Sequence, residues 1–191
     1  MWFLEVDIAV RFLAATLLWA LGSFIARKYW SQAKFDKFLV ILDLALIAYV
    51  SEWLAMFYLG YTLVTWLIVN AVDKFKRAKS FFFVLCCLIC AVPFFYIRMR
   101  DLMPELPLAF ALTGLAYNML KAVDAVYFVH YTGERVPLIT YANYMLFFPV
   151  ITAGPILRYR DFSASLNKPM PITGESLTKN FKRLILGYFK K

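Results

Sequence analysis

His130 is the one histidine in the 191-residue chain. It is therefore the first candidate for proton transfer near neutral pH. It falls at the end of an apolar stretch, just before Tyr131-Thr132-Gly133. An imidazole at a helix end interacts with the negative end of the dipole and reaches water, so the residue reads as structural. There is no Gly-x-Ser-x-Gly elbow, no Walker loop, no Gly-x-Gly-x-x-Gly turn and no cluster with metal-ligand spacing. Cys86, Cys87 and Cys90 stand together in "FFFVLCCLICAV", a grouping that can bind metal or do redox chemistry. With no His or acid nearby, in an apolar helix, they read as small hydrophobes, and their odd number argues against a disulfide framework. The residues alone show neither a catalytic constellation nor a metal site.

Two further sets of residues carry charge where charge is costly. Lys121 and Asp124 lie within an apolar segment, three apart and hence on one helix face, where they could pair. Such a pair either settles two charges in a bundle interior or forms the polar wall of a substrate path. Arg158 and Arg160 flank Tyr159 just after Gly154-Pro155, and Asp161 follows. The arginines either steer an anionic donor or anchor lipid headgroups. Gly154, Pro155 and the upstream Pro149 read as structural: they break a segment and let backbones approach closely.

Composition decides what positions these residues. The chain is 63% hydrophobic, 19% aromatic and 17% charged, far more apolar than the ~45–50% of a soluble domain. This implies an all-α, polytopic transmembrane helical bundle. The formal net charge is +9, and from residue 157 onward eight Lys/Arg face only Asp161 and Glu175. In a membrane protein this balance reads as cytoplasmic retention and contact with anionic lipid, not nucleic-acid binding. Residues 1–7 carry Glu5 and Asp7 rather than a basic leader, so the first apolar stretch, Ile8–Ala26, reads as a retained span with Arg11 near its end.

The apolar run from Phe38 to Val72 is too long for one crossing of a ~30 Å hydrocarbon core. It divides into two spans, turning near Ser51-Glu52 or near Gly60, with Asp43 facing protein or water. "SFFFVLCCLICAVPFFYI" forms a fourth span, and a fifth runs from about Leu108 to Val129. If the basic loops 27–37 and 73–79 are cytoplasmic, six full crossings would export the basic tail, against the positive-inside rule. A re-entrant segment at 138–156 removes the conflict, since broken backbone is tolerated where protein covers it. Leu177, Phe181, Leu184, Ile185 and Tyr188 make one helical stripe in the tail, with Thr173 as N-cap and Glu175 in the first turn. That pattern predicts an interfacial amphipathic helix. The chain so divides into N-terminal spans (1–107) and a second portion (108–191) holding a span, the broken Gly-Pro segment and this helix.

"FFPVITAGPILRYRDFSASL" resembles the signature segment of the membrane-bound O-acyltransferase (MBOAT) family. It is most similar to the bacterial branch that acetylates secreted polysaccharides such as alginate, and next to the D-alanyl transfer proteins of lipoteichoic acid modification. The matching residues are Ala153, Gly154, Pro155, Ile156, Arg158, Tyr159 and Asp161. "GLAYNMLKAVDAVYFVHYTGE" and "FKRLILGYFKK" resemble the family's flanking helices. The likeness covers about residues 108–191. Over 1–107 only the alternation of spans and basic loops agrees.

The resemblance implies part of an integral enzyme of the bacterial cytoplasmic membrane. Such an enzyme moves an acyl group, acetyl in the most similar branch, from a thioester donor (acetyl-CoA or an acyl carrier protein) to a cell-surface polymer. No residue here matches the family's catalytic histidine, and Lys121 falls where the family carries His or Arg. The chain is thus expected to be an incomplete MBOAT fold, the N-terminal half, inactive alone and without a bound cofactor. Arg158, Arg160, Tyr159, Lys121 and Asp124 would line or approach the tunnel. The expected partners are membrane lipid, the missing half or a partner chain, an acyl carrier and an extracytoplasmic acceptor protein. A non-catalytic membrane scaffold is the main rival. A small transporter is a weaker one, because no internal repeat is visible.

Overall fold

The computed structural model describes residues 6–72, 79–98, 114–151 and 157–166, with six further positions between 174 and 186. Among these the chain is entirely helical: α1 (Val6–Tyr29), α2 (Gln32–Val50), α3 (Glu52–Ala71), α4 (Lys79–Arg98), α5 (Leu115–Thr132), α6 (Leu138–Leu146), a 3-10 turn (Phe148–Val150) and α7 (Tyr159–Leu166). By length and composition, α3 is the one described helix long and apolar enough to cross a membrane, and α4 adds a shorter apolar stretch, Ser80–Phe95. The other long helices carry charges along their length, such as Asp43 in α2 and Lys121 and Asp124 in α5.

Of the two turn positions expected in the long apolar run, the chain uses Ser51. This residue is extended, its N–H donates to the Ile47 carbonyl at 2.9 Å, and its Oγ accepts the Leu54 N–H at 3.4 Å. One serine thus closes α2 and opens α3, satisfying a terminal group of each. Gly60 lies inside α3, with open space where a Cβ would be. α5 is bounded by Gly114 and Gly133, both left-handed with φ of 67° and 69°, a conformation that glycine adopts without a Cβ penalty.

The tight turns make α1, α2 and α3 antiparallel neighbours, so the end of α1, the start of α2 and the end of α3 share one end of the bundle. The loop after α5 joins them there. The Val136 carbonyl accepts from Trp66 Nε1 at 2.9 Å and from Asn70 Nδ2 at 3.2 Å, and the Val136 N–H donates to Asn70 Oδ1 at 3.0 Å. α6 starts from this end and runs inward for nine residues, about 13 Å. It packs on α2, α3, α5 and α7, and Tyr141 to Leu146 are all buried. Helical geometry stops at Phe147, which has φ −48° and ψ 99°. α7 then leads back, and the Leu166 carbonyl accepts from Gln32 Nε2 at 3.0 Å at the start of α2. The start of α6 and the end of α7 therefore lie at the same end.

α6 sits between two apolar cores because its buried residues point three ways. Tyr141, Tyr144 and Met145 join a core with α3, α4, α5 and α7. Ala142 and Leu146 join Phe148 and Ile151 in a second core with α1, α2 and α3. Asn143 takes the remaining face and donates to the Asp36 carbonyl at 2.9 Å. Both cores mix residues from before and after residue 107.

The outward faces are apolar as well. Leu17, Leu21 and Phe24 of α1, Met56 and Leu67 of α3, and Phe81, Leu88 and Phe95 of α4 are all more than half exposed. In the tail, positions 174, 178, 179, 182, 183 and 186 are helical and exposed, and Thr178 Oγ1 donates to the Gly174 carbonyl at 2.9 Å. The expected stripe Leu177, Phe181, Leu184, Ile185 and Tyr188, with Thr173 and Glu175, lies outside the described residues, as do 108–113.

Candidate functional site

Breaking a helix inside a core leaves its last carbonyls and the following amides without helical partners. In this chain buried ionisable side chains supply them. Lys121 belongs to the inward stripe of α5 formed by Asn118, Lys121, Ala122, Ala125 and Val129, at i+3/i+4 spacing. It has no exposed surface. Its Nζ donates to the Tyr144 carbonyl at 2.9 Å and the Met145 carbonyl at 3.4 Å, and stands 4.9 Å and 5.5 Å from the ring centres of Tyr117 and Tyr144. A cation on the final carbonyls of α6 meets the negative end of that helix's dipole, and the rings add cation–π attraction.

Asp43 occupies the inward stripe of α2 among Phe35, Leu39, Leu46 and Ile47 and is fully buried. Its Oδ1 accepts the Phe148 N–H at 3.2 Å, at the start of the 3-10 turn. Asp43 and Lys121 so hold the two sides of the break, the Phe148 amide and the Tyr144 and Met145 carbonyls. Asp43 stands eleven residues from the start of α2 and Lys121 eleven from the end of α5. The break so lies about 16 Å in from the shared end.

The return path is held similarly. Asp124 Oδ2 accepts the Tyr159 N–H at 2.7 Å at the first turn of α7, where an anion opposes the positive end of the dipole. The Tyr144 hydroxyl donates to the Leu157 carbonyl at 2.7 Å, with the Asp124 oxygen a longer 3.4 Å away. The Leu157 N–H donates to the Tyr117 hydroxyl at 3.4 Å. The expectation that Lys121 and Asp124 pair is corrected here. Each holds backbone on a different side of the break, because unpartnered carbonyls and amides lie within reach of both.

The other residues singled out from the sequence divide clearly. Tyr159 is buried, edge-on to Phe128 at 5.0 Å and to Tyr144 at 5.4 Å. Arg158, Arg160 and Asp161 are exposed around it, and Pro149 is exposed in the 3-10 turn. Gly154 and Pro155, with 152–156 as a whole, lie outside the described residues. His130 lies in the last turn of α5, as expected, but half-buried, its ring 4.6 Å from that of Phe83. It is nine residues from Lys121, about 13 Å along the helix, and takes no part in the site. Cys86 and Cys90 are buried in the apolar core, and the Cys90 carbonyl accepts the Tyr61 hydroxyl at 2.8 Å. Among the described residues no group of three His, Cys, Asp or Glu side chains comes together.

Reading candidates by charge misses Tyr144 and Tyr117, which hold Leu157, and Asn143, which ties α6 to α2. Asn118, one turn before Lys121 on the same face, was the available signal of a polar stripe inside an apolar helix. Comparisons with protein-family models, with curated proteins and with solved structures give no match.

Proposed function

We propose that this chain is part of an integral membrane O-acyltransferase of the bacterial cytoplasmic membrane, in which 138–166 is a re-entrant segment at the mouth of an acyl-transfer tunnel. One observation carries the membrane half of this reading. Among the described residues α6 starts and α7 ends at one end of the bundle, α6 breaks about 16 Å in, and Lys121, Asp43 and Asp124 hold backbone there inside a bundle whose outer faces are apolar. That depth is about half of a ~30 Å hydrocarbon core. Irregular backbone belongs at such depth where protein satisfies it. Arg27, Lys28, Lys34, Lys37 and Arg135 are exposed at or near the shared end, whereas Glu52 marks the opposite turn. This end is the cytoplasmic one by the positive-inside rule.

The acyl-transfer half rests on the likeness of "AGPILRYRD" and its flanking segments to the MBOAT signature. An acceptor hydroxyl attacks the donor thioester, the C–O bond forms, the C–S bond breaks, and a histidine takes the hydroxyl proton and passes it to the leaving thiolate. That histidine comes from polypeptide beyond these 191 residues. Here Lys121, Asp43 and Asp124 are positioning residues for the segment, and Arg158 and Arg160 meet the anionic donor at the mouth. The engagement of Lys121, Asp43 and Asp124 with backbone also suits a non-catalytic scaffold, the alternative reading.

Two experiments separate these statements. In a background with Cys86, Cys87 and Cys90 changed to alanine, Ser31→Cys, Arg135→Cys and Ser165→Cys are expected to react with a membrane-impermeant maleimide from the cytoplasmic side only, and Glu52→Cys from the opposite side only. Labelling of residues 31 and 165 from opposite sides overturns the re-entrant topology. The purified chain is expected to turn over no acetyl thioester. Co-expression with the adjacent downstream reading frame is expected to acetylate surface polysaccharide. Turnover by the chain alone would sink the proposed division of labour, and failure of the pair would favour the scaffold.

A further inference from the structure

We propose that the outer groove between α1 and α2 seats an anionic phospholipid of the cytoplasmic leaflet, with its phosphate at Lys28, Lys34 and Lys37 and an acyl chain between the two helices. The inference rests on the membrane half of the proposed function and not on acyl transfer. Gly22 brings the helices together. A Cβ there would stand 3.3 Å from the Leu42 side chain and 3.9 Å from the Phe38 ring. On α1, Leu18, Ile25 and Tyr29 flank Gly22 at i−4, i+3 and i+7. On α2, Lys34, Ile41 and Ala45 flank Phe38 and Leu42 at the same kind of spacing, and all six flanking residues are exposed. The walls are apolar until they reach Tyr29 and Lys34 at the cytoplasmic end. Lys34 and Ala45 are eleven residues apart, about 16 Å along α2. That is about half of a ~30 Å hydrocarbon core, the depth of one leaflet.

The head end carries a surplus of cations. Residues 27–37 hold Arg27, Lys28, Lys34 and Lys37 against Asp36 alone. Asp36 is half-buried, and its Oδ1 accepts Gln32 Nε2 at 2.8 Å. The Arg27 guanidinium lies over the Phe35 ring at 5.5 Å, whereas Lys28, Lys34 and Lys37 are exposed on the outer side. Two exposed rings mark the same level. Trp30 meets Phe38 edge-on at 4.9 Å, and Lys28 Nζ stands 5.7 Å from the ring centre of Tyr29. Rings with a polar tip favour the headgroup layer. A soluble anion would answer the cations and leave the apolar walls bare. A lipid without net charge would do the reverse. A lipid with a net negative head answers both, and each cation near such a head favours binding about fivefold.

The test uses the full chain in vesicles of phosphatidylcholine and phosphatidylglycerol at fixed composition, with bromine on the acyl chains of one lipid or of the other. Quenching of Trp30 is read as the difference between the unmutated chain and Trp30→Phe. Quenching of Trp53, exposed at the opposite turn beside Glu52, is read in the same way from Trp53→Phe. Trp30 is expected to prefer phosphatidylglycerol about tenfold or more, and Trp53 to be quenched equally by both lipids. Lys34→Gln is expected to lower the Trp30 preference about fivefold, the share of one cation. Arg135→Gln makes the same change of charge at the same end, beside α3, and is expected to leave the preference in place. Ala45→Phe fills the groove, keeps every charge and is expected to weaken the preference. Equal quenching of Trp30 by the two lipids, or equal effects of Lys34→Gln and Arg135→Gln, would overturn the proposal. So would loss of the preference on adding inorganic phosphate at constant ionic strength, which would mean an ion site without a lipid. If neither lipid quenches Trp30 or Trp53, the membrane reading falls as well.

Discussion

Lys121→Met is expected to destabilise the bundle by about 3–5 kcal/mol, since two buried carbonyls at the end of α6 are left without their donor at about 1–3 kcal/mol each. In thermal unfolding followed by circular dichroism in detergent, that corresponds to a Tm lower by roughly 6–20 °C for a chain of this size. Methionine fills similar volume, so cavity formation contributes little. The Tyr144 and Met145 carbonyls lose their donor at a helix end that water does not reach. If Lys121→Met unfolds at the unmutated temperature, Lys121 does not cap α6 and the account of the break is wrong.

How far the fold was legible follows from where each signal resides. The helical segments were visible in the apolar runs because their length and spacing are local properties. The turn at Ser51 was one of two readable choices, and it is chosen because a serine in extended geometry satisfies both adjoining helix ends. The break near Pro149 was visible too, but its position was not. α6 ends at Leu146, before the proline, since Phe147 already leaves helical geometry and Phe148 opens the 3-10 turn that contains Pro149. The charges at 43, 121 and 124 announced themselves as costly inside apolar helices. Their partners did not, because those partners are backbone groups of 144–159 that become available only once the helix breaks. Spacing along α5 suggests an i,i+3 pair. Three-dimensional supply of unpartnered carbonyls and amides turns the two residues to separate tasks instead. Tyr144 and Tyr117 were unreadable for the same reason: nothing local marks a tyrosine that will hold the carbonyl or amide of Leu157.

Asp124→Ala should act locally where Lys121→Met acts globally. Asp124 supplies a charge-assisted hydrogen bond of 2.7 Å to the first N–H of α7, worth about 1.5–3 kcal/mol. The Tyr144 hydroxyl is engaged on the other strand of the turn, donating to the Leu157 carbonyl at 2.7 Å. α7 packs mainly on α5 and α6, so the helix can lift away while the two cores persist. Arg158 and Arg160 are exposed beside its first turn, and trypsin reads the opening directly. When opening is fast relative to cleavage, the cleavage rate follows the open population. Asp124→Ala is accordingly expected to be cut after Arg158 and Arg160 about 10–100-fold faster, the equivalent of that hydrogen bond, with a smaller change in Tm than Lys121→Met. Asp124→Asn, which keeps an acceptor oxygen but no charge, should fall between the two. Equal cleavage rates for Asp124→Ala and the unmutated chain would mean that the aromatic contacts of Tyr159 with Phe128 and Tyr144 hold α7 unaided. A cleavage increase matched by an equally large fall in Tm would mean that α7 and the core unfold as one unit.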